Sequence, residues 1–159
     1  MRLIAYAVPV PAITALNPVE NQAWVGLIHA HSMLVKQLDT ELLAAHGISL
    51  SGFEVLSRVA ATQQGRMRMT ELAERVLLSP SGISRLVDRL EADGMIARIA
   101  CPTDGRAINA TITEQGRARL AEARDTHFQG IRRRFLAHFN EAEIAQLAGY
   151  WERLAPNCA

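Results

Sequence analysis

Between Ser79 and Thr113 the apolar residues change their period, and that change limits what the chain can fold into. In SPSGISRLVDRL, residues 79–90, the side chains of Ile83, Leu86, Val87 and Leu90 fall within about 60° of one another at 100° per residue, the inward stripe of an amphipathic helix. Ser79 offers a cap, Pro80 a first helical position and Gly94 a stop. Beyond Gly94 the period drops to two. Residues 95–101 (MIARIAC) and 106–113 (RAINATIT) read as strands joined by Pro-Thr-Asp-Gly, a turn sequence. Ile108, Ala110 and Ile112 then share one face, with Asn109, Thr111 and Thr113 on the other. A helix runs directly into a β-hairpin with one buried face.

Helices flank this unit. Asn17-Pro18-Val19-Glu20 combines a cap, a proline at the first helical position and a returning glutamate. Trp24, Leu27, Ile28, His31, Leu34, Val35, Leu38 and Leu42 follow at threes and fours up to Gly47, giving a first helix of roughly 26 residues. A second starts near Ser49 to Ser51, with Ser51 and Glu54 spaced as a capping box, and turns Phe53, Leu56, Val59 and Ala60 inward. A short third, Thr70 to Leu77, presents Leu72, Ala73 and Val76. After the hairpin, Thr113 caps a long helix with a stripe of Leu120, Phe128, Ile131, Phe135 and Phe139 and a solvated cluster of Arg132, Arg133 and Arg134. Asn140 and Glu143 box a last helix with Ile144, Leu147, Trp151 and Leu154 inward. The fold class is mainly α with a small β-hairpin wing. The long terminal helices exceed what a core of some 60 residues can cover, so they are expected to pack on each other or on a second subunit. The expected organisation is an apolar N-terminal arm (1–16), a dimerisation helix (17–48), a winged helix-turn-helix region (49–113) and two further dimerisation helices (114–159).

The polar side of the Ser79–Leu90 helix indicates function. Its N-terminal end carries Ser81, Gly82, Ser84 and Arg85 rather than the long Glu and Lys of a merely solvated face. Small residues allow close approach, serine hydroxyls can donate to phosphates or base edges, the helix N-terminus favours anions, and an arginine can reach guanine. Asp88 and Arg89, a turn further on, are suited to bracing the helix instead, and a salt bridge between Arg85 and Asp88 is the bland alternative. The hairpin tip holds Asp104 and Arg106. Arg106 can enter a minor groove, and Asp104 is expected to pair with an arginine, Arg106 itself or Arg98. Arg66, Arg68, Thr70 and Arg98 are candidate phosphate contacts. The formal charge of +1 gives no overall basic field, so nucleic-acid binding has to come from this local arrangement.

The run MTELAERVLLSPSGISRLVDRLEADGMIARIACPTDGRAINATITEQG resembles the helix-turn-helix and wing of MarR-type transcriptional regulators in its Leu-Ala pair, serine-rich recognition helix, R-L-x-x-x-G, D-x-R wing and I-T-x-x-G strand exit. SGFEVL at 51–56 resembles that family's second helix, and the likeness extends over about residues 19–155. It implies a homodimer on a pseudo-palindromic double-stranded operator, commonly a repressor released by a small ligand or by thiol oxidation. It also places Ser81, Gly82, Ser84 and Arg85 in the recognition helix and Asp104 and Arg106 in the wing.

Other classes receive less support. Cys101 and Cys158 lack CxxC or Cys/His spacing, which argues against a zinc site or a disulfide framework and fits a reducing cytoplasm. His29 and His31 face about 200° apart on a helix and cannot chelate one ion, so neither metal nor cofactor is expected. His31 is read as a core or interface histidine, or, with Trp24 and Phe53, as a wall of a pocket for a small aromatic effector. Cys101, at the wing root, is the residue a thiol-based redox regulator would use. The apolar stretch MRLIAYAVPVPAIT is too short to span a bilayer, carries Pro9 and Pro11, and suits an arm covering a partner subunit. No nucleophile–base pair or phosphate loop points to an enzyme. A winged helix that binds protein rather than DNA is the remaining alternative, distinguishable by a lack of duplex affinity even at low salt.

Overall fold

In the computed structural model the described residues form, in order, α1 (Pro18–His46), α2 (Leu50–Ala60), β1 (Arg66–Arg68), α3 (Met69–Arg75), α4 (Pro80–Ala92), β2 (Ile96–Cys101), β3 (Asp104–Ile112), α5 (Glu114–Arg134), a 3₁₀ turn (Leu136–His138) and α6 (Glu141–Leu154). The structure describes residues 15–76, 80–101 and 104–156, and residues 80 and 104–106 enter by their backbone alone. Residues 1–14 of the arm, Leu77, the Ser79 cap, residues 102 and 103 of the turn, and Cys158 lie outside the described residues. The chain divides into two units, Met1–Met33 and Leu34–Ala159.

In the first unit α1 starts as its sequence dictates. The Asn17 side chain accepts from the amides of Val19 (2.9 Å) and Glu20 (3.0 Å), and the Glu20 carboxylate accepts from the Asn17 amide (2.8 Å). Three backbone donors at the helix start are thereby satisfied. The apolar stripe there is not covered: Trp24 is 57% and Ile28 44% exposed.

In the second unit the end of α1 reaches the core, where Leu42 is fully buried. Gly47, at φ 66°, turns the chain, and α2 begins two residues earlier than the Ser51–Glu54 box implies. Ser49 is the cap, accepting from the Gly52 amide at 3.1 Å, because Asp39 of α1 already takes the Leu50 amide at 2.8 Å and pins the first turn there. Three antiparallel strands form one sheet in the order β1-β3-β2. Ile96 pairs with Ile112 and Ala100 with Ile108, so the hairpin is as expected, except that β3 starts at Asp104, which pairs with Cys101. The third strand, β1, puts Met67 into the core between two exposed arginines and sets it opposite Ala110.

The core holds Leu56, Leu72, Val55, Val59 and Val87 of the helices with Ile96 of β2, all fully buried, together with Phe53, Ile83, Leu86, Leu90, Leu120 and Ala123. The α5 stripe is buried as far as Ala123. Beyond it Phe128 is 45% exposed, and Phe139, which the sequence placed on this helix, lies past the 3₁₀ turn and is 36% exposed. Likewise Trp151 (41%) and Leu154 (69%) of α6 face solvent rather than a core, because within one chain these helices extend past the sheet that could cover them. The arginine cluster is not merely solvated: Arg134 Nη2 lies 2.6 Å from Glu41 Oε1, with Arg133 at 3.4 Å from the same carboxylate, tying α5 to α1. Arg134's hydrogen bond holds the Glu41 carboxyl below its usual range against the opposing effect of burial.

Candidate nucleic-acid interface

Helix α4 is fixed from below and open above. Ile83, Leu86, Val87 and Leu90 are 0 to 4% exposed, and each such side chain removed from water stabilises the docking of the helix by about 1.5–3 kcal/mol. With that face committed, Ser81, Ser84 and Arg85 are exposed and Gly82 is half-buried. The four residues expected to approach a ligand thus share one accessible end of α4. Among the described residues no carboxylate pairs with Arg85. The bland alternative, a bridge from Arg85 to Asp88, is absent because Asp88 is engaged elsewhere.

Its partner is Arg98 of β2. Arg98 Nη1 lies 2.7 Å from Asp88 Oδ1 and 2.7 Å from Glu91 Oε2, and its Nη2 donates to the Ser84 carbonyl at 3.1 Å. The Arg98 amide adds a bond to Glu91 Oε1 at 2.9 Å. These bonds hold the Glu91 carboxyl below its usual range. Burial works against the charge of Arg98, and the two carboxylates outweigh it. The sequence offered Arg98 as a partner for Asp104 or as a phosphate contact. In the structure three groups of α4 take three of its five N–H donors and leave its side chain 20% exposed, while the side chain of Asp104 lies outside the described residues.

At the tip, the backbones of Asp104 and Arg106 belong to β3. The wing root closes tightly onto α5. Thr113 Oγ1 donates to the Gly94 carbonyl at 2.7 Å and accepts from the Gly116 amide at 2.9 Å, so one hydroxyl ends the wing and caps the next helix.

The remaining cations sit at the other edge of the sheet. Arg66 and Arg68 flank Met67 on β1 with their side chains exposed, and Thr70 is exposed at the start of α3. Arg66, Arg68, Thr62, Asn109 and Cys101 border an open cavity of about 430 Å³. Arg68 Nη2 lies 4.0 Å from Cys101 Sγ, a cation beside the thiol that sequence spacing did not reveal.

Of the pocket residues, Trp24 and His31 are exposed in the Met1–Met33 unit. Phe53 is 6% exposed in the other, its ring 4.5 Å from that of His127. His127 was not singled out by the sequence. Its Nδ1 is buried without a hydrogen-bond partner, and burial lowers its pKa. Among the described residues no cluster of three or more His, Cys, Asp or Glu could hold a metal ion, and no helix is long and apolar enough to cross a membrane.

Comparison with known proteins agrees with this geometry. A family model described as MarR family matches residues 46–107, from the end of α1 through the wing. An uncharacterized HTH-type transcriptional regulator from Bacillus cereus is 33% identical over 107 residues, covering 67% of this chain and 69% of that protein. The HTH-type transcriptional repressor MdtR of Bacillus subtilis is 28% identical over 125 residues, covering 77% of this chain and 79% of that protein. Among solved structures, Sco3205 from Streptomyces coelicolor, a MarR family transcriptional regulator crystallised in complex with DNA, superposes with a TM-score of 0.85 at 27% identity, covering 89% of both chains.

Proposed function

This chain belongs to the MarR family of transcriptional regulators, and from that premise we propose that it binds a pseudo-palindromic operator as a homodimer, represses from it, and is released by a small aromatic ligand. Ser81, Gly82, Ser84 and Arg85 enter the major groove, and Arg106, steadied by Asp104, reaches the flanking minor groove. Arg66, Arg68 and Thr70 meet phosphates. The observation that carries the reading is the accessible end of α4, small residues and one arginine with no carboxylate partner among the described residues, held over a fully buried underside.

The dimer is supported by the apolar side chains that the terminal helices leave in water, among them Trp24, Ile28, Trp151 and Leu154. Residues 17–48 and 114–159 are its dimerisation segments, and 49–113 its DNA-binding region. Two recognition helices related by a two-fold axis then meet successive major grooves roughly 34 to 36 Å apart. A ligand that favours another separation releases the operator. The repressor reading takes support from MdtR, which is named as one.

The test is selection of duplexes from a random library by the purified full chain, followed by hydroxyl-radical footprinting. Two protected half-sites one helical turn apart, with affinity falling steeply as salt rises, is the expected result. No duplex retained even at low salt would overturn the reading in favour of a protein-binding winged helix.

A further inference from the structure

Ser84, Asp88 and Glu91 follow one another at helical spacing, so they form a single row on α4, beside the row that carries Arg85. Arg98 spans all three from the root of the wing. Ser84 therefore serves two sides: its side chain belongs to the approach surface, while its carbonyl is held by the wing. One guanidinium between two carboxylates leaves the cluster with a net charge of −1. Such a cluster beside a DNA-binding face repels phosphate. That cost is sensible only if the cluster supplies something other than a backbone contact.

We propose that Arg98 is a positioning residue that sets specificity: it locks α4 and the wing into one reading head, fixing the separation between the major-groove surface and the wing before DNA arrives. This rests on the DNA-binding reading above. Without the lock, α4 and the wing still meet DNA, but each operator must also pay to align them, and only duplexes that engage both at once lose affinity.

The experiment uses the full chain, a duplex selected by the wild type from a random library, and a scrambled duplex of the same length. Arg98→Met is expected to weaken the selected duplex about tenfold and to leave the scrambled one within about twofold. The salt slope stays unchanged, and hydroxyl-radical protection is lost over the minor groove under the wing while the half-site stays protected. A slope lower by about 0.9, with both duplexes weakened alike, would make Arg98 a phosphate contact and overturn the inference. So would unchanged affinity for both. A second variant, Asp88→Asn with Glu91→Gln, separates the two accounts. Removing two negative charges relieves repulsion on any duplex, so the ratio decides: selected and scrambled duplexes strengthen alike if Arg98 contacts phosphate, and the preference for the selected duplex falls about tenfold if Arg98 positions. Circular-dichroism melting identifies any variant that fails to fold, and the other one then decides. If the wild type retains no duplex at all, the DNA-binding reading falls and takes this inference with it, an outcome distinct from every variant result.

Discussion

Gly116 is the residue whose smallest alteration should cost most. It stands in the first turn of α5, where the helix meets the start of β2, and a Cβ built there would lie 3.0 Å from the carbonyl carbon of Met95 and closer still to its oxygen. The side chain of Ile112, also 3.0 Å away, closes the other side. Ordinary carbon contacts are about 3.5–4.0 Å, so Gly116→Ala requires roughly 1 Å of movement between the α5 N-terminus and the wing root. Neither flank can give cheaply. The Met95 carbonyl is held by the Thr113 amide (3.1 Å), and Thr113 Oγ1 is itself fixed by Gly94 and Gly116. Overpacking a well-filled site costs about 1–3 kcal/mol, and backbone on one flank argues for the upper end, about 3 kcal/mol. For a chain of this size that lowers Tm by about 6–12 °C, read by circular dichroism at one fixed protein concentration because a dimer's Tm depends on it. A Tm within about 1 °C of wild type would refute the claim that this packing is rigid. In the I-T-x-x-G stretch from Ile112 to Gly116 the isoleucine fills the core, the threonine caps and ties, and the glycine permits the approach.

Two further predictions concern the long helices. Because Arg134 holds Glu41 below its unfolded pKa of about 4.5, folding favours the ionised form, so this contribution is present above that pH and is lost as pH falls below it through the lower folded value. The pair is partly exposed and worth about 1 kcal/mol or less. Melting curves should show Tm falling between about pH 5 and pH 3, with part of that fall missing in Glu41→Gln, and an identical fall in the variant would deny the pair any role. Trp151→Glu with Leu154→Glu should convert a dimer to a monomer in sedimentation without altering the helical circular-dichroism signal, since both side chains are exposed within one chain. An unchanged mass would place the interface elsewhere.

What the sequence disclosed, and what it concealed, divides along the range of the interactions. The α4 stripe, the hairpin and the boxes at Asn17 and Asn140 are set by neighbours within a turn or a strand pair, and all were legible. Strand β1 was not. Its three residues, Arg-Met-Arg, are too few to show alternation, and it exists because the edge of β3 offers unpaired backbone groups that β1 and the Gly65 carbonyl satisfy. The start of α2 fell within the expected Ser49 to Ser51, but the Ser51–Glu54 box is not the cap, because the deciding bond comes from Asp39, eleven residues away. The α4 partners of Arg98 were missed for the same reason: they lie seven or more residues back, across a turn, on the side of α4 that faces the wing. The stripes of α1, α5 and α6 were seen as apolar and as longer than one core could cover, and which of their residues one chain leaves exposed had to come from the structure.

The central claim is that the open end of α4 reads base edges through Arg85. The most direct measurement compares the wild type and Arg85→Ala on a duplex selected by the wild type and on a scrambled one, by fluorescence anisotropy at one salt concentration. A lost bidentate contact to guanine costs about 1–3 kcal/mol, which predicts a roughly 5- to 150-fold loss on the selected duplex and little change on the scrambled one. Equal affinity of both proteins for the selected duplex would contradict the account.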